Sequence, residues 1–145
     1  MIGVVIATHG RLAEEALAAV QGIVGPLAQA RAVAVSSAVP MDAAREALAS
    51  AIRELDDGDG VLILTDMLGG TPANLALGFL GDRVEVVTGV NLPMLLKLST
   101  CRTPGARLPE VAALISAYGR KNIALASEVL GGRPAAGPPG GGGSP

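Results

Sequence analysis

Aromatic residues, cysteine and histidine are scarce in this chain of 145 residues, which has no tryptophan and one each of phenylalanine, tyrosine, cysteine and histidine. A single cysteine cannot form an internal disulfide, and one cysteine with one histidine cannot build a structural zinc site, so we expect no bound metal. The lack of disulfides favours a reducing, cytoplasmic compartment. The 11 Lys and Arg residues, set against 13 Asp and Glu residues, form no basic run, which argues against nucleic acid as a partner.

Long hydrophobic runs are also missing. No apolar stretch approaches the roughly eighteen residues of a membrane-spanning helix, and the start of the chain lacks the pattern of a signal peptide. Half of the residues, 50%, are nevertheless hydrophobic, which is enough to bury the core of one domain. We assign that domain to residues 1–130. Residues 131–145 are dominated by Gly and Pro and are predicted to be a disordered tail or linker.

Short apolar runs alternate with helical patterns along the domain. Strands are predicted over residues 2–7, 32–36, 60–65 and 83–88, and amphipathic spacing predicts helices over 11–24, 41–55, 72–80 and 108–119. This alternation predicts an α/β fold, a doubly wound and mainly parallel sheet with helices on both faces. The strand order that we expect for this sheet is 2-1-3-4. Residues 123–126 are a candidate fifth strand.

The candidate site lies where the first and third strands end. His9 follows the first strand, and the third is followed by Asp66 and then by Gly69, Gly70 and Thr71. In the expected strand order these ends are neighbours, so Asp66 can hydrogen-bond one imidazole nitrogen of His9 and leave the other nucleophilic. A phosphoryl group on that nitrogen could be held by the N–H groups of residues 69–71 and the Thr71 hydroxyl, with no metal or other cofactor.

Each of these features also has a plain structural interpretation, and rival functions stay open at this point. Asp66 could cap a turn, and Gly-Gly-Thr-Pro could be a simple connection from strand to helix. A hydrolase triad of Ser36, Asp66 and His9 is conceivable, but the Gly-x-Ser-x-Gly elbow is absent. P-loop and dinucleotide motifs are missing too. A small-molecule binder or hydrolase remains a third-ranked hypothesis.

Three blocks carry a resemblance to a known family: residues 7–10, residues 65–72 with Asn74, and residues 87–95. They resemble the IIA component of the mannose-family (mannose, fructose and sorbose) phosphotransferase system, over residues 1 to about 130. The resemblance implies a phosphotransferase component in which His9 accepts a phosphoryl group from the carrier HPr and passes it to a IIB domain. It also implies that Asp66 orients His9, that residues 69–71 hold the phosphate, and that Thr8, Gly10, Asn91 and Pro93 shape the pocket.

The resemblance further implies a homodimer that exchanges its last strand, which we map to residues 122–126 as an antiparallel fifth strand. Membrane contact is expected only through IIC and IID partners, and sugar specificity lies in those partners. The chain differs from many family members at Leu68, where an aromatic residue is common, and at Thr71, which replaces serine but keeps the hydroxyl. An alternative role is a stand-alone regulatory module whose phosphorylation state controls a binding partner. The phosphocarrier of dihydroxyacetone kinase has a similar fold, but the Gly-Gly-Thr-Pro block favours the mannose type.

Overall fold

The computed structural model describes residues 1–131, so the predicted tail lies outside it apart from Gly131. Within this range the elements are, in order, β1 (Gly3–His9), α1 (Leu12–Val24), β2 (Ala30–Val35), α2 (Met41–Leu55), β3 (Val61–Thr65), α3 (Thr71–Leu77), β4 (Val84–Thr88), α4 (Leu92–Cys101), α5 (Leu108–Lys121) and α6 (Ala126–Gly131).

The four strands form one parallel sheet in the order β2-β1-β3-β4, which confirms the predicted topology. Strand β1 lies in the middle and pairs with both β2 and β3. Its last residue, His9, is the register partner of Val35 on one side. On the other side Ala7 is the partner of Thr65, the last residue of β3. The carboxyl ends of β2, β1 and β3 therefore meet at one edge of the sheet.

Helices cover both faces of the sheet, because β1 and β3 are apolar on both sides. On one face Val4, Ile6, Leu62 and Leu64 pack against α1, α4 and α5. On the other face the alternate residues of the same strands pack against α2 and α3. A strand that is buried on both faces needs a continuous apolar run, which is the pattern of residues 2–7 and 61–64.

The connections of β1 and β3 leave the sheet in opposite directions. The chain after β1 enters α1 on the first face, and the chain after β3 enters α3 on the second. A crevice opens between two neighbouring strands whose connections diverge in this way, and it is the usual ligand position of an open α/β sheet. His9 and Asp66 lie at this crevice.

Helix α4 was not predicted from the sequence, although its start signal is present. Asn91 caps it, since the Asn91 side chain accepts a hydrogen bond of 3.1 Å from the Met94 N–H, and Pro93 occupies the first turn. Met94, Leu95 and Leu98 form its buried side. Proline in the first turn of a helix costs no hydrogen bond, so the Asn-x-Pro pattern marks a helix start.

The expected fifth strand at residues 122–126 is not formed in this chain. Helix α5 runs to Lys121, and its end is closed by a hydrogen bond of 2.9 Å from the Asn122 side chain to the Tyr118 carbonyl. Residues 123–125 belong to no helix or strand, and α6 begins at Ala126. Ile123 is 77% exposed, so residues 1–131 leave most of its side chain uncovered. Exchange of this segment between subunits stays a prediction.

A buried arginine joins the elements at the edge of the sheet opposite His9. The Arg102 guanidinium, 6% exposed as a residue, donates to the carbonyls of Ile2 at 2.8 Å, Ala28 at 2.7 Å and Leu98 at 3.3 Å. The Ile2 carbonyl precedes β1, the Ala28 carbonyl precedes β2, and the Leu98 carbonyl belongs to α4. Burial without a carboxylate partner lowers the pKa of Arg102, but a guanidinium stays charged at neutral pH. Arg102 therefore links two strands to α4.

No helix within residues 1–131 is both long and apolar enough to cross a membrane.

We expect Arg102→Met to lower the free energy of unfolding by about 2–4 kcal/mol, because it leaves buried carbonyls without donors. Urea unfolding followed by circular dichroism measures the loss. Arg53→Met is a matched control, since Arg53 is exposed and pairs with Glu46 on the surface of α2, where such a pair contributes at most about 1 kcal/mol. Equal losses in the two variants would contradict the role of Arg102.

Candidate functional site

The site is built around a hydrogen bond between the ends of β1 and β3. The Nδ1 atom of His9 lies 2.8 Å from Oδ2 of Asp66, and the same oxygen accepts the backbone N–H of His9 at 3.1 Å. An ionised carboxylate can only accept, so Nδ1 of the neutral ring carries the proton. The other ring nitrogen, Nε2, is then left with a free lone pair. The structure thus brings together the two residues that the sequence predicted as neighbours.

Asp66 is held from several directions. Its side chain is 13% exposed, and its second oxygen accepts the Met67 N–H at 3.1 Å. Partial burial works to raise the pKa of Asp66, but the hydrogen bonds from the His9 ring and backbone outweigh it and leave the pKa below its ordinary value. Asp66 is therefore ionised at neutral pH and keeps the His9 ring in one orientation.

Two of the residues that were predicted to shape the pocket, Thr8 and Gly10, lie next to His9 where β1 ends. Gly10 has a φ of +53°, a conformation that residues with a side chain rarely adopt, and its N–H donates to the Val35 carbonyl at 3.1 Å. Thr8 is fully buried, and its hydroxyl accepts the Ala13 N–H at 2.6 Å in the first turn of α1. Gly10 thus belongs to the turn beside His9, whereas the Thr8 side chain faces the core and caps α1 from within.

Residues 69–71, which we call the glycine loop, lie directly against the His9 ring. Gly69 has a φ of +92°, and a Cβ placed on Gly70 would lie 2.6 Å from Cε1 and 3.0 Å from Nε2 of His9. In the described part of the chain the N–H groups of Gly69, Gly70 and Thr71 donate to no other protein atom. The loop therefore presents unpaired donors on the side of the ring that carries Nε2.

A cleft of about 270 Å³ opens beside the ring. His9 and Thr71 line it together with residues at the end of β2 and the start of α2, among them Ser36, Ser37 and Met41. A smaller cleft continues past Thr71 to Asn74 and Arg45. Sequence reasoning did not assign Ser36 and Ser37 to the phosphate site. Their position near His9 could have been predicted, because the carboxyl ends of neighbouring parallel strands meet at one edge of the sheet.

Asn91 and Pro93, which were also predicted to shape the pocket, are not among the residues that line this cleft. The Asn91 side chain caps α4 and donates to the Gly119 carbonyl at 3.1 Å, so it fastens α4 to α5. Pro93 lies in the first turn of α4. Their local role is to fix the connection that follows β4.

Within residues 1–131 no group of three or more His, Cys, Asp and Glu side chains is arranged to hold a metal ion. The described residues of the site instead combine an imidazole, an orienting carboxylate and unpaired backbone donors. A free Nε2 can act as a nucleophile, and the donors can bind the oxygens of an anionic group attached to it. Such a set of groups suits reversible transfer of a phosphoryl group, which depends on positioning and on donors directed at oxygen.

Comparison with known families agrees with this chemistry. A family model described as "PTS system fructose IIA component" matches residues 3–116, which include His9, Asp66 and the glycine loop. Among solved structures, the mannose/sorbose specific IIA subunit of the phosphotransferase system from Enterococcus faecalis superposes with a TM-score of 0.76. It is 32% identical in sequence, and the superposition covers 86% of this chain and 93% of that one.

Two Escherichia coli K12 proteins are similar in sequence. The putative phosphotransferase enzyme IIA component YadI is 36% identical over 104 residues, which cover 70% of this chain and 71% of that protein. The mannose-specific EIIAB component is 33% identical over 127 residues, which cover 84% of this chain and 38% of that protein. The chain therefore spans well under half of the EIIAB component.

The lowered pKa of Asp66 predicts a pH-dependent contribution to stability. A carboxyl whose folded pKa lies below its unfolded value, about 3.9, stabilises the fold above that value, and the contribution is lost as pH falls through the folded pKa. Wild type should therefore exceed Asp66→Asn in free energy of unfolding at pH 7, and the difference should shrink below about pH 4. Urea titrations across pH 3 to 7 measure it, and a difference independent of pH would contradict the assignment. Other carboxyls with lowered pKa, such as Asp56, are present in both proteins and cancel.

We expect Gly70→Ala to disturb the site while the fold persists. The added Cβ would meet the edge of the His9 ring, and this exposed side chain can turn aside at the expense of its bond to Asp66. The cost in unfolding free energy should stay below about 1 kcal/mol. NMR signals of the ring nitrogens should show that Nδ1 loses its hydrogen bond. Gly22→Ala, in the open face of α1, is the control, and unchanged ring signals in Gly70→Ala would be inconsistent with the packing described.

Proposed function

The chain belongs to the IIA components of the mannose and fructose family of the sugar phosphotransferase system, and we propose that its phosphoryl-accepting atom is Nε2 of His9. The observation that carries this proposal is the 2.8 Å hydrogen bond between Nδ1 of His9 and Asp66. It supports a proton on Nδ1 and a nucleophilic lone pair on Nε2.

The proposed step moves a phosphoryl group between two imidazoles. The phosphorus–nitrogen bond of a donor phosphohistidine breaks, and its electron pair stays on the donor ring. The lone pair of His9 Nε2 forms the new bond to phosphorus. The ring then carries more positive charge, and the ionised Asp66 stabilises it through the Nδ1 proton. The reverse sequence delivers the group to an acceptor.

The glycine loop supports the second part of the proposal, which is binding of the phosphoryl oxygens. The N–H groups of Gly69, Gly70 and Thr71 have no protein partner among residues 1–131, and the Thr71 side chain is exposed. Gly70 lies against the Nε2 edge of the ring. Backbone donors of this kind bind phosphate oxygens well. We assign Gly69, Gly70 and Thr71 to this role. Helix α3 has seven residues, so we attribute binding to these local donors and not to a long helix dipole.

A carrier must meet its donor and its acceptor in turn, and the surroundings of His9 suit such contacts. The His9 side chain is 50% exposed, so a partner's histidine can approach it. Leu12, Met67 and Leu68 are large apolar side chains close in sequence to His9 or Asp66, and Leu68 is 68% exposed. Contiguous exposed apolar patches mark protein interfaces, and we propose that these three side chains contribute to one. We propose an HPr-like phosphocarrier as the donor and a IIB domain as the acceptor.

The same proposal covers location and assembly. We place this carrier in the cytoplasm, in contact with the membrane only through IIC and IID partners. We also propose that the chain forms the homodimer that its family resemblance implies, by exchange of residues 122–126. The exposed Ile123 and Leu125 are consistent with a segment that is covered by a second subunit.

The direct test is phosphoryl labelling with radioactive phosphoenolpyruvate, enzyme I and HPr. We expect the wild-type chain to acquire an acid-labile, base-stable label and His9→Gln to acquire none, because this side chain has no imidazole. Ser99→Ala, far from the site in α4, should be labelled at the wild-type rate.

Label that persists in His9→Gln would show that another residue is phosphorylated and would refute the proposal. A wild-type chain that takes no label from this donor system, while a known IIA protein in the same reaction does, would refute the assigned donor.

A further inference from the structure

We propose that Ser36 and Ser37 form a second wall of the phosphoryl site, and that the Ser36 hydroxyl donates a hydrogen bond to a phosphoryl oxygen on the side opposite the glycine loop. This inference rests on the proposed function, because it concerns the group carried by His9. It adds residues from β2 and its connection to a site otherwise built from β1 and β3.

Strand register brings Ser36 to His9. His9 pairs with Val35 across the parallel β1 and β2 strands, so Ser36 is the first residue beyond the partner of His9. The Gly10 N–H donates to the Val35 carbonyl at 3.1 Å, which ties the turn after β1 to the end of β2. The position of Ser36 beside the ring is therefore fixed by the sheet.

The two serines and the glycine loop face a shared space. The cleft of about 270 Å³ is lined by His9, Ser36 and Ser37 and also by Thr71, the last residue of the glycine loop. A phosphoryl group is much smaller than this volume, so the cleft has room for the group and for part of a docking partner. Three hydroxyl-bearing residues, Ser36, Ser37 and Thr71, thus line one cleft together with the His9 imidazole.

The Ser36 hydroxyl has a proton to donate. Its oxygen accepts the Ala38 N–H at 3.3 Å, and among the described residues it donates to no protein acceptor. A serine hydroxyl has two acceptor sites and one donor, so acceptance from Ala38 leaves the donor free. The accepted bond also holds the oxygen in place at the edge of the cleft.

No carboxylate lines the cleft. None of its lining residues is Asp or Glu, and the carboxylate of Asp66 is bonded to the Nδ1 side of the ring. The glycine loop supplies donors from one side, whereas the phosphoryl group has three outer oxygens pointing in different directions. Donors from the β2 side complete its coordination, and hydrogen bonds to a charged group are the stronger kind.

The experiment compares wild type with Ser36→Ala, Ser36→Thr and the double variant Ser36→Ala/Ser37→Ala in the full chain. Phosphorylated HPr is mixed with each protein, and the equilibrium ratio of phosphorylated to free protein is measured by intact mass spectrometry. The ³¹P NMR resonance of each phosphorylated chain is recorded as well. Ser99→Ala is the matched control, because its hydroxyl donates to the Leu96 carbonyl within α4.

Loss of one donor to the charged group should lower the equilibrium constant of Ser36→Ala by roughly threefold to tenfold. The double variant should lose at least as much, and Ser36→Thr should stay near wild type. The phosphorus resonance should shift in Ser36→Ala and in the double variant but not in Ser99→Ala. If the double variant matches wild type in both measurements, this inference is wrong although the proposed function stands. If wild type itself takes no phosphoryl group, both fail.

Discussion

The hydrogen bond between His9 and Asp66 is the contact on which the site depends, and it requires two strands to end side by side. One carboxylate oxygen accepts both the ring Nδ1 and the backbone N–H of His9, so Asp66 fixes the ring and the end of β1 together. The bond crosses from β1 to β3 at the point where their connections diverge to opposite faces of the sheet. Any fold that separated these strands would leave a free imidazole and an ordinary carboxylate.

The rest of the molecule keeps these strand ends in register. Apolar residues of β1 and β3 are buried on both faces, against α1, α4 and α5 on one side and α2 and α3 on the other. At the far edge Arg102 joins the starts of β1 and β2 to α4, and Asp56 pairs with Arg83 beside the turn that precedes β3. The exposed His9 ring is thus carried by rigid elements, which suits the proposed carrier role, in which one fixed geometry serves different partners.

Sequence patterns were sufficient for the sheet and for the central pair, and insufficient for side-chain roles. The apolar runs mark β1 and β3 as buried strands, and with the expected strand order 2-1-3-4 His9, Asp66 and the glycine loop were predicted as neighbours. Whether Thr8 and Asn91 face a pocket or cap a helix depends on the residue at which α1 and α4 begin, which periodicity does not define. Helix α4 itself was missed because its signal is a short Asn-x-Pro start. The second strand was predicted to end at Ser36, whereas β2 ends at Val35. Since His9 pairs with Val35, Ser36 lies one residue beyond the partner of His9.

The choice of ring nitrogen is the central claim, and NMR can determine that choice directly. The chain is labelled with ¹⁵N in the His9 ring, phosphorylated through HPr, and examined for the phosphorus coupling of each ring nitrogen. The geometry predicts that phosphorus is bonded to Nε2 while Nδ1 keeps its proton and its hydrogen bond to Asp66. Phosphorus on Nδ1 would contradict the account, because it would require the bond between His9 and Asp66 to be broken in the phosphorylated protein.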